Sequence, residues 1–275
     1  MSLKLPGPIL ILGAGKMGGA LLAGLLDKGL SPADVLIQDP APPPEAAKLI
    51  AERGIRRAAR FDELKTPPSV ILAAVKPQIM DQVFASAAHH AGPDTLTLSI
   101  AAGRTIASFA AHLPAAAAIV RAMPNTPAAI GHGMTVCCAN DAATAAHKEL
   151  ATALMSAVGK VAWVTDEALM DAVTAVSGSG PAYVFHLVEC MTEAGIAAGL
   201  QPALAAELAR STVSGSGALL DATDLPAGDL RKNVTSPGGT TAAALEVLMA
   251  GDAMQDLFKR AIAAARDRGQ QLSGG

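Results

Sequence analysis

Thr240 and Thr241 follow a Ser-Pro-Gly-Gly turn and open an Ala/Leu-rich run of helical character within 231–248, RKNVTSPGGTTAAALEVL. A helix starting there presents unpaired backbone N–H groups, the positive end of its dipole and two hydroxyls. Those groups suit a small anion such as a carboxylate. The same residues also suit an ordinary helix cap, so the stretch gains a function only from what the rest of the chain supplies.

The first supply is a dinucleotide fingerprint. Gly13-Ala14-Gly15-Lys16-Met17-Gly18 follows a short apolar run at 8–12 and opens a helical pattern over Lys16–Asp27, with Gly29 as terminator. A second strand pattern, Val35–Gln38, ends in Asp39, which lies 21 residues after Gly18. GxGxxG by itself is weak; strand, helix, second strand and terminal acid together form the dinucleotide-binding pattern. Gly13 permits the tight turn, Gly15 lets a pyrophosphate reach the backbone, and Gly18 lets helix and strand pack closely. Asp39 is placed to accept hydrogen bonds from an adenosine ribose and to repel a 2′-phosphate, which favours NADH. Arg56, Arg57 and Arg60 lie near the next strand and are the available positive charge that would favour NADPH.

A search for an acid or base finds little. No lysine occurs between Val161 and Leu230, and His186 sits mid-helix in YVFHLVECM, where it reads as a packing histidine. Glu167 and Asp171 share a helical face near the SGSG break and suit either substrate contact or a solvated face. Hydroxy-acid and alcohol dehydrogenases need a positioned acid or base. A cyclic imine does not, because its nitrogen arrives protonated and the iminium is itself the electrophile. Holding its carboxylate and orienting its ring is then mostly proximity catalysis. Cys137, Cys138 and Cys190 have no metal-ligand spacing and read as buried, reduced thiols; no metal is expected.

These residues need a scaffold, and the hydrophobic pattern predicts one. Helices at 46–53, 79–88, 106–113 and 142–158 alternate with strands at 70–75, 95–100, 118–121, 134–139 and 161–164. Repeated βα units predict an α/β fold with a parallel sheet and right-handed crossovers. VKP, AAG and MPNTP then fall at strand C-termini, the ligand side of such sheets, where Lys76, Asn125 and Thr126 serve either a ligand or a turn. From 166 onward the pattern is helical, at 167–176, 181–198, 202–220 and 253–271. The expected division is a dinucleotide-binding domain at 1–164 and a helical domain at 165–275. The second is Ala/Gly/Ser-rich and can form only a modest core, so a second copy is its expected packing partner.

Composition narrows the classes. The 275 residues carry a net charge of −3, with 16% charged, 51% hydrophobic and 3% aromatic residues. No basic tract stands out, which argues against nucleic acid. No apolar run is long enough for a transmembrane helix and residues 1–8 do not form a leader, so a cytoplasmic protein is expected.

The ordered motifs GAGKMG (13–18), AAVKP (73–77), SIAAG (99–103), RAMPNTPA (121–128), SGSGPAY (177–183) and VTSPGGTT (234–241) resemble those of pyrroline-5-carboxylate reductases, over nearly the full length. The resemblance implies reduction of 1-pyrroline-5-carboxylate to L-proline by NADPH or NADH, on a Rossmann domain followed by a helical dimerisation domain, often in a ring of dimers. It puts cofactor contacts on Leu12, Gly13, Ala14, Gly15, Lys16 and Met17, on Ala74, Val75, Lys76 and Pro77, and on Ile100, Ala101 and Ala102. It puts the substrate loop on Asn233, Ser236, Gly238, Gly239, Thr240 and Thr241, with Thr241 bonding the imine nitrogen and Glu167 an acid near the substrate. Asp39 and Phe61 depart from the family pattern and bear on the usual NADPH preference.

Two other readings share the architecture. A 3-hydroxyacid or 6-phosphogluconate-type dehydrogenase is expected to carry a lysine on the helix after the glycine break, and 181–198 has none. A non-catalytic nucleotide-sensing homologue would not need SPGGTT and SGSGPAY intact.

Overall fold

The computed structural model describes residues 3–58 and 66–273. Eight strands form one sheet: β1 (Ile9–Leu12), β2 (Val35–Gln38), β3 (Arg56–Arg57), β4 (Val70–Ala73), β5 (Leu96–Ser99), β6 (Ala118–Met123), β7 (Gly133–Ala139) and β8 (Gly159–Trp163). Their order is β3-β2-β1-β4-β5-β6-β7-β8. Helices α1 (Lys16–Asp27), α2 (Pro44–Glu52), α3 (Met80–Ala88), α4 (Ile106–Ala110) and α5 (Ala145–Met155) connect them. β1, β2 and β4 are near-continuous apolar runs because both faces are covered. Ile9, Ile11, Leu72 and Leu98 pack on one side with Leu21, Leu22 and Leu25 of α1; Leu10, Leu12 and Ile71 pack on the other with Phe84 and Phe109.

The sheet is not parallel throughout. β7 runs antiparallel to β6, with Arg121 opposite Cys138 and Ala122 opposite Cys137, whereas β8 returns parallel to β7. The physical reason lies in the connection. A parallel crossover takes a dozen or more residues and usually a helix. Between β6 and β7 there is only the MPNTP loop and a 3-10 turn, Thr126–Ile130, closed by Gly131 in the left-handed region. The chain can only fold back.

Local differences follow similar causes. Residues 167–176 are not one helix but a 3-10 turn (Glu167–Leu169), a short α6 (Met170–Val173) and a π-helical turn (Thr174–Gly178). An unpredicted two-residue edge strand, β3, pairs with β2. Arg60 and Phe61 lie outside the described residues.

Beyond the sheet come α7 (Gly180–Ala197), α8 (Pro202–Asp221), α9 (Ala227–Asn233), α10 (Thr240–Leu248) and α11 (Ala253–Ser273). The helix expected to open at Thr240 does so as α10, and the residues before it, from 231, are the end of α9 and a turn. Packing divides the chain into Met1–Gly178 with Ala265–Gly275, and Ser179–Ala264. The last strand ends at Trp163, close to the expected 164/165 boundary, but the packing division falls after the π-turn and the chain's end returns to the first unit. Within the second unit only Ala205 and Ala209 are buried among the described residues, while Phe185, Leu187, Leu204, Leu208, Val247 and Phe258 are exposed.

The β7–β8 pair depends on glycine. Gly159 sits opposite Gly133 with φ +149°, and a Cβ there would overlap the Gly133 carbonyl oxygen. Gly159→Ala should lower unfolding free energy by about 3 kcal/mol, read from the urea midpoint; an unchanged midpoint would show that β7 and β8 can separate at no cost.

Candidate functional site

The strand ends are stitched into one ledge. Gly13 N–H donates to the Gln38 carbonyl (2.9 Å), Ala74 N–H to the Leu12 carbonyl (2.8 Å) and Ile100 N–H to the Ala73 carbonyl (3.0 Å). Each ladder thus continues one residue past its strand. That brings Leu12–Gly13, Ala73–Ala74 and Ile100 side by side at the C-terminal edge, where the chain order reverses across β1 and β4 and ligands of such sheets bind.

The three fingerprint glycines separate by environment. Gly13 has φ +89°, and a Cβ there would stand 2.8 Å from Val75 Cγ1. Gly18 meets the Gly13 carbonyl oxygen, leaving no room for a side chain. Gly15 has nothing within 4 Å of its Cβ position. It is also the N-cap of α1, where no side chain caps the helix. The result is open backbone at a positive helix end, which fits a dinucleotide pyrophosphate. Lys16 is exposed and Met17 and Ala14 line the same turn.

Asp39 closes the loop from the β2 side. Its Oδ2 accepts the Ala14 N–H (2.7 Å) and its Oδ1 accepts the Ala41 N–H (2.9 Å). Behind it, the Arg57 guanidinium donates to the carbonyls of Asp39 (2.9 Å) and Pro40 (3.2 Å). Arg57 thus fixes the backbone that presents Asp39, while bringing a positive charge to the same turn. Lys76 is exposed at the end of β4, and Pro77 starts the 3-10 turn Pro77–Ile79. Ala101 N–H bonds Ser99 Oγ (3.2 Å), and Ala102 is exposed beside it.

Glu167 belongs to the first unit, and the 233–241 loop to the second. Its Oε1 accepts from Arg121 Nη1 (2.9 Å) and from the Ile106 N–H (2.8 Å). Arg121 is 3% exposed and also faces Asp171, with Nη2 3.9 Å from Oδ1. Neither acid is therefore simply a solvated face. Leaving the buried guanidinium without its partners would cost roughly 3–5 kcal/mol. In the sequence the signal for this pairing is Arg121 itself, a charge inside the apolar strand AIVRAM, because a buried charge must be paired. Asn125 acts similarly. Its Oδ1 accepts the Met134 N–H (2.9 Å) and its Nδ2 donates to Ser177 Oγ (3.3 Å), tying the MPNTP loop to the SGSG segment.

In the second unit, Gly239 is the N-cap of α10, with φ −85° and ψ 175°, and no side chain caps the helix. Gly238 takes φ +67°, and the Gly239 N–H bonds the Ser236 carbonyl (3.0 Å). Thr240 and Thr241 are the first two helical residues, and Asn233 ends α9 just before the turn. The Ser-Pro-Gly-Gly turn leaves the helix start bare, which an ordinary side-chain cap would have filled.

The thiols differ from expectation at one position. Cys137 and Cys138 are buried, but Cys190 is exposed on α7 near His186, whose Nδ1 lies 2.8 Å from Glu189 Oε2. His186 is likewise exposed rather than packed within the chain. Burial, reinforced by Cys138, pushes the Cys137 thiol up to about 12. No cluster of three metal-ligating side chains occurs among the described residues. No described helix is long and apolar enough to cross a membrane.

Residues 167–272 match the family model described as pyrroline-5-carboxylate reductase dimerisation. Residues 8–103 match one described as NADP oxidoreductase, coenzyme F420-dependent. The chain is 39% identical to a pyrroline-5-carboxylate reductase of Pseudomonas aeruginosa, over 96% of each chain. It is 40% identical to one of Synechocystis, over 95% of this chain and 97% of the other. A solved pyrroline-5-carboxylate reductase of Coxiella burnetii superposes with a TM-score of 0.91 at 32% identity, covering 98% of this chain and 99% of that one. The Plasmodium falciparum pyrroline carboxylate reductase, solved with NADP bound, superposes with a TM-score of 0.81 at 27% identity, covering 98% of each.

The glycine environments separate folding from binding. Gly15→Val should leave the unfolding midpoint unchanged yet weaken dinucleotide binding by about tenfold or more, read from nicotinamide fluorescence. Gly18→Ala should lower the midpoint itself. Equal effects of the two on stability would sink this division of roles.

Proposed function

The chain belongs to the pyrroline-5-carboxylate reductase family, and we propose on that premise how its own residues carry the family's reaction. It is an NAD(P)H-dependent oxidoreductase that reduces 1-pyrroline-5-carboxylate to L-proline, the last step of proline biosynthesis. The observation that carries the residue-level reading is the bare start of α10. The first N–H groups of α10 have no intrahelical partner, and the nine-residue helix adds its dipole. They receive the substrate carboxylate, with Ser236, Gly238 and Gly239 shaping the approach and Asn233 at its rim. Thr241 accepts a hydrogen bond from the ring N–H. The nitrogen already holds its proton, so no further acid is needed; as the C=N carbon is reduced, the π pair moves onto nitrogen and the product amine forms in place.

The reduced nicotinamide, when bound, supplies the hydride. This chain's part is to hold the dinucleotide: the Gly13–Gly18 turn takes the pyrophosphate, and Ala74–Pro77 and Ile100–Ala102 support the nicotinamide side. Asp39 reads the adenosine ribose and favours NADH, while Arg57 in the same turn provides the counter-charge by which NADPH is also accepted. Glu167, whose Oε1 is held by Arg121, is assigned to support rather than to direct substrate contact.

The exposed apolar helices of the second unit are assigned to a second copy of this chain, as a homodimer; a ring of dimers is the further assembly that the resemblance implies. A cytoplasmic location belongs to the same proposal and rests on the resemblance alone. A 3-hydroxyacid-type dehydrogenase is disfavoured because α7 carries no lysine.

The direct test is steady-state oxidation of NADH and NADPH with pyrroline-5-carboxylate, run beside a piperideine carboxylate. Binding of a dinucleotide without turnover would favour a nucleotide-sensing role instead. Thr241→Ala should lower kcat/KM about 10- to 100-fold, the worth of a hydrogen bond to a charged group, with dinucleotide affinity nearly unchanged. Wild-type kinetics would remove Thr241 from the mechanism. Asp39→Ser should raise the ratio of kcat/KM for NADPH over NADH by roughly tenfold, because a charge facing the 2′-phosphate is lost. A constant ratio would mean that Asp39 serves only the Ala14 and Ala41 amides.

A further inference from the structure

The turn after β5 carries Ile100, Ala101 and Ala102, and it is held by contacts far away in the chain. On one side, Glu167 Oε1 accepts the N–H of Ile106, the first residue of α4, at 2.8 Å. On the other side, Gly103 takes φ +72° and lies against the end of α11: a Cβ at Gly103 would stand 3.6 Å from Leu272 Cβ and 3.8 Å from the Leu272 carbonyl oxygen. One turn earlier in α11, Gly269 lies against α6. A Cβ there would stand 3.1 Å from Asp171 Oδ1 and 3.3 Å from Asp171 Cβ. Glycine is disfavoured in a helix interior, so its use at 269 calls for a reason. Close approach to Asp171 supplies one. Gly269 and Leu272 are three residues apart and so share a helix face.

Both supports run back to one side chain. Arg121, buried in β6, meets Glu167 at 2.9 Å and Asp171 at 3.9 Å. We infer that Arg121 is the positioning residue of the cofactor turn: through Glu167 it fixes the start of α4, and through Asp171 it seats the end of α11 at Gly269, laying Leu272 against Gly103. Two carboxylates on one buried guanidinium hold each other in register, because neither can leave without stranding the charge. The last turns of α11 therefore support the dinucleotide site through Gly103. This rests on the assignment of Ile100–Ala102 to the cofactor.

The test uses the full chain with three substitutions. Gly269→Val pushes α11 away from Asp171, Gly269→Ala does so by less, and Leu272→Gly removes the Leu272 side chain from beside Gly103, its backbone carbonyl remaining, while leaving Asp171 untouched. NADH and NADPH affinities are read from nicotinamide fluorescence, beside thermal stability and KM for the imino acid. Gly269→Val should weaken dinucleotide binding on the order of tenfold, as small misplacements of a binding turn do. Gly269→Ala should fall between it and the unsubstituted chain, and Leu272→Gly should weaken binding in the same sense with stability nearly kept. KM for the imino acid should move far less than dinucleotide affinity. Unchanged dinucleotide affinity in all three, even with lowered stability, overturns this inference alone and leaves the cofactor reading standing. Failure of the unsubstituted chain to bind either dinucleotide overturns both. Should Gly269→Val fail to fold, Leu272→Gly decides.

Discussion

The nucleotide-binding unit depends on one close approach, that of α1 to the turn that precedes it. Gly18 brings the helix so near the Gly13 carbonyl that no side chain fits between them. Beside that approach Gly15, the N-cap of the helix, is left with open space in front of it. The neighbouring turns then fall into line through backbone bonds from β2, β4 and β5. Asp39 completes the loop with two backbone N–H groups. The packing constraint and the proposed binding surface are thus the same few atoms, at a helix start that no side chain caps and that suits a phosphate.

A second constraint is the buried guanidinium of Arg121. A charge in the middle of a sheet is costly unless it is paired, so its position dictates where acids must come from. Glu167 and Asp171 come from the segment that follows the last strand, and through them the sheet is tied to α4 and to the end of α11. The helical unit follows a different economy. Its two buried alanines cannot supply a core for helices that expose phenylalanine, leucine and valine. Apolar helix faces of this kind are stable when covered, and a symmetric second copy is the commonest cover.

Much of the fold was legible in the sequence because it follows from local pattern. The apolar run before GAGKMG, the helix over Lys16–Asp27 and the strand Val35–Gln38 stand where the pattern put them. The direction of β7 was not legible, because a strand pattern carries no sign of its neighbour's direction; the short β6–β7 connection decided it. α9 was not among the expected helices, because Pro226 and Gly228 favour a loop, whereas Ala227 begins a helix directly after the proline. The candidate site divides in the same way. Motifs located the turns, but not that Glu167 is held by Arg121, 46 residues away.

The sequence by itself determined the residue types at each strand end, the glycines that permit close approach, and the bare helix start after Ser-Pro-Gly-Gly. These are properties of a residue and its near neighbours: backbone freedom, missing side chains, unpaired N–H groups. The tertiary structure alone decided that Arg121 joins Glu167 to Asp171, that Arg57 backs Asp39, and that the end of α11 returns to lean on Gly103. Those are pairings between distant segments. A side chain states what it needs, a counter-charge or a donor, but not which of several candidates will meet it; only the packed backbone sets that distance.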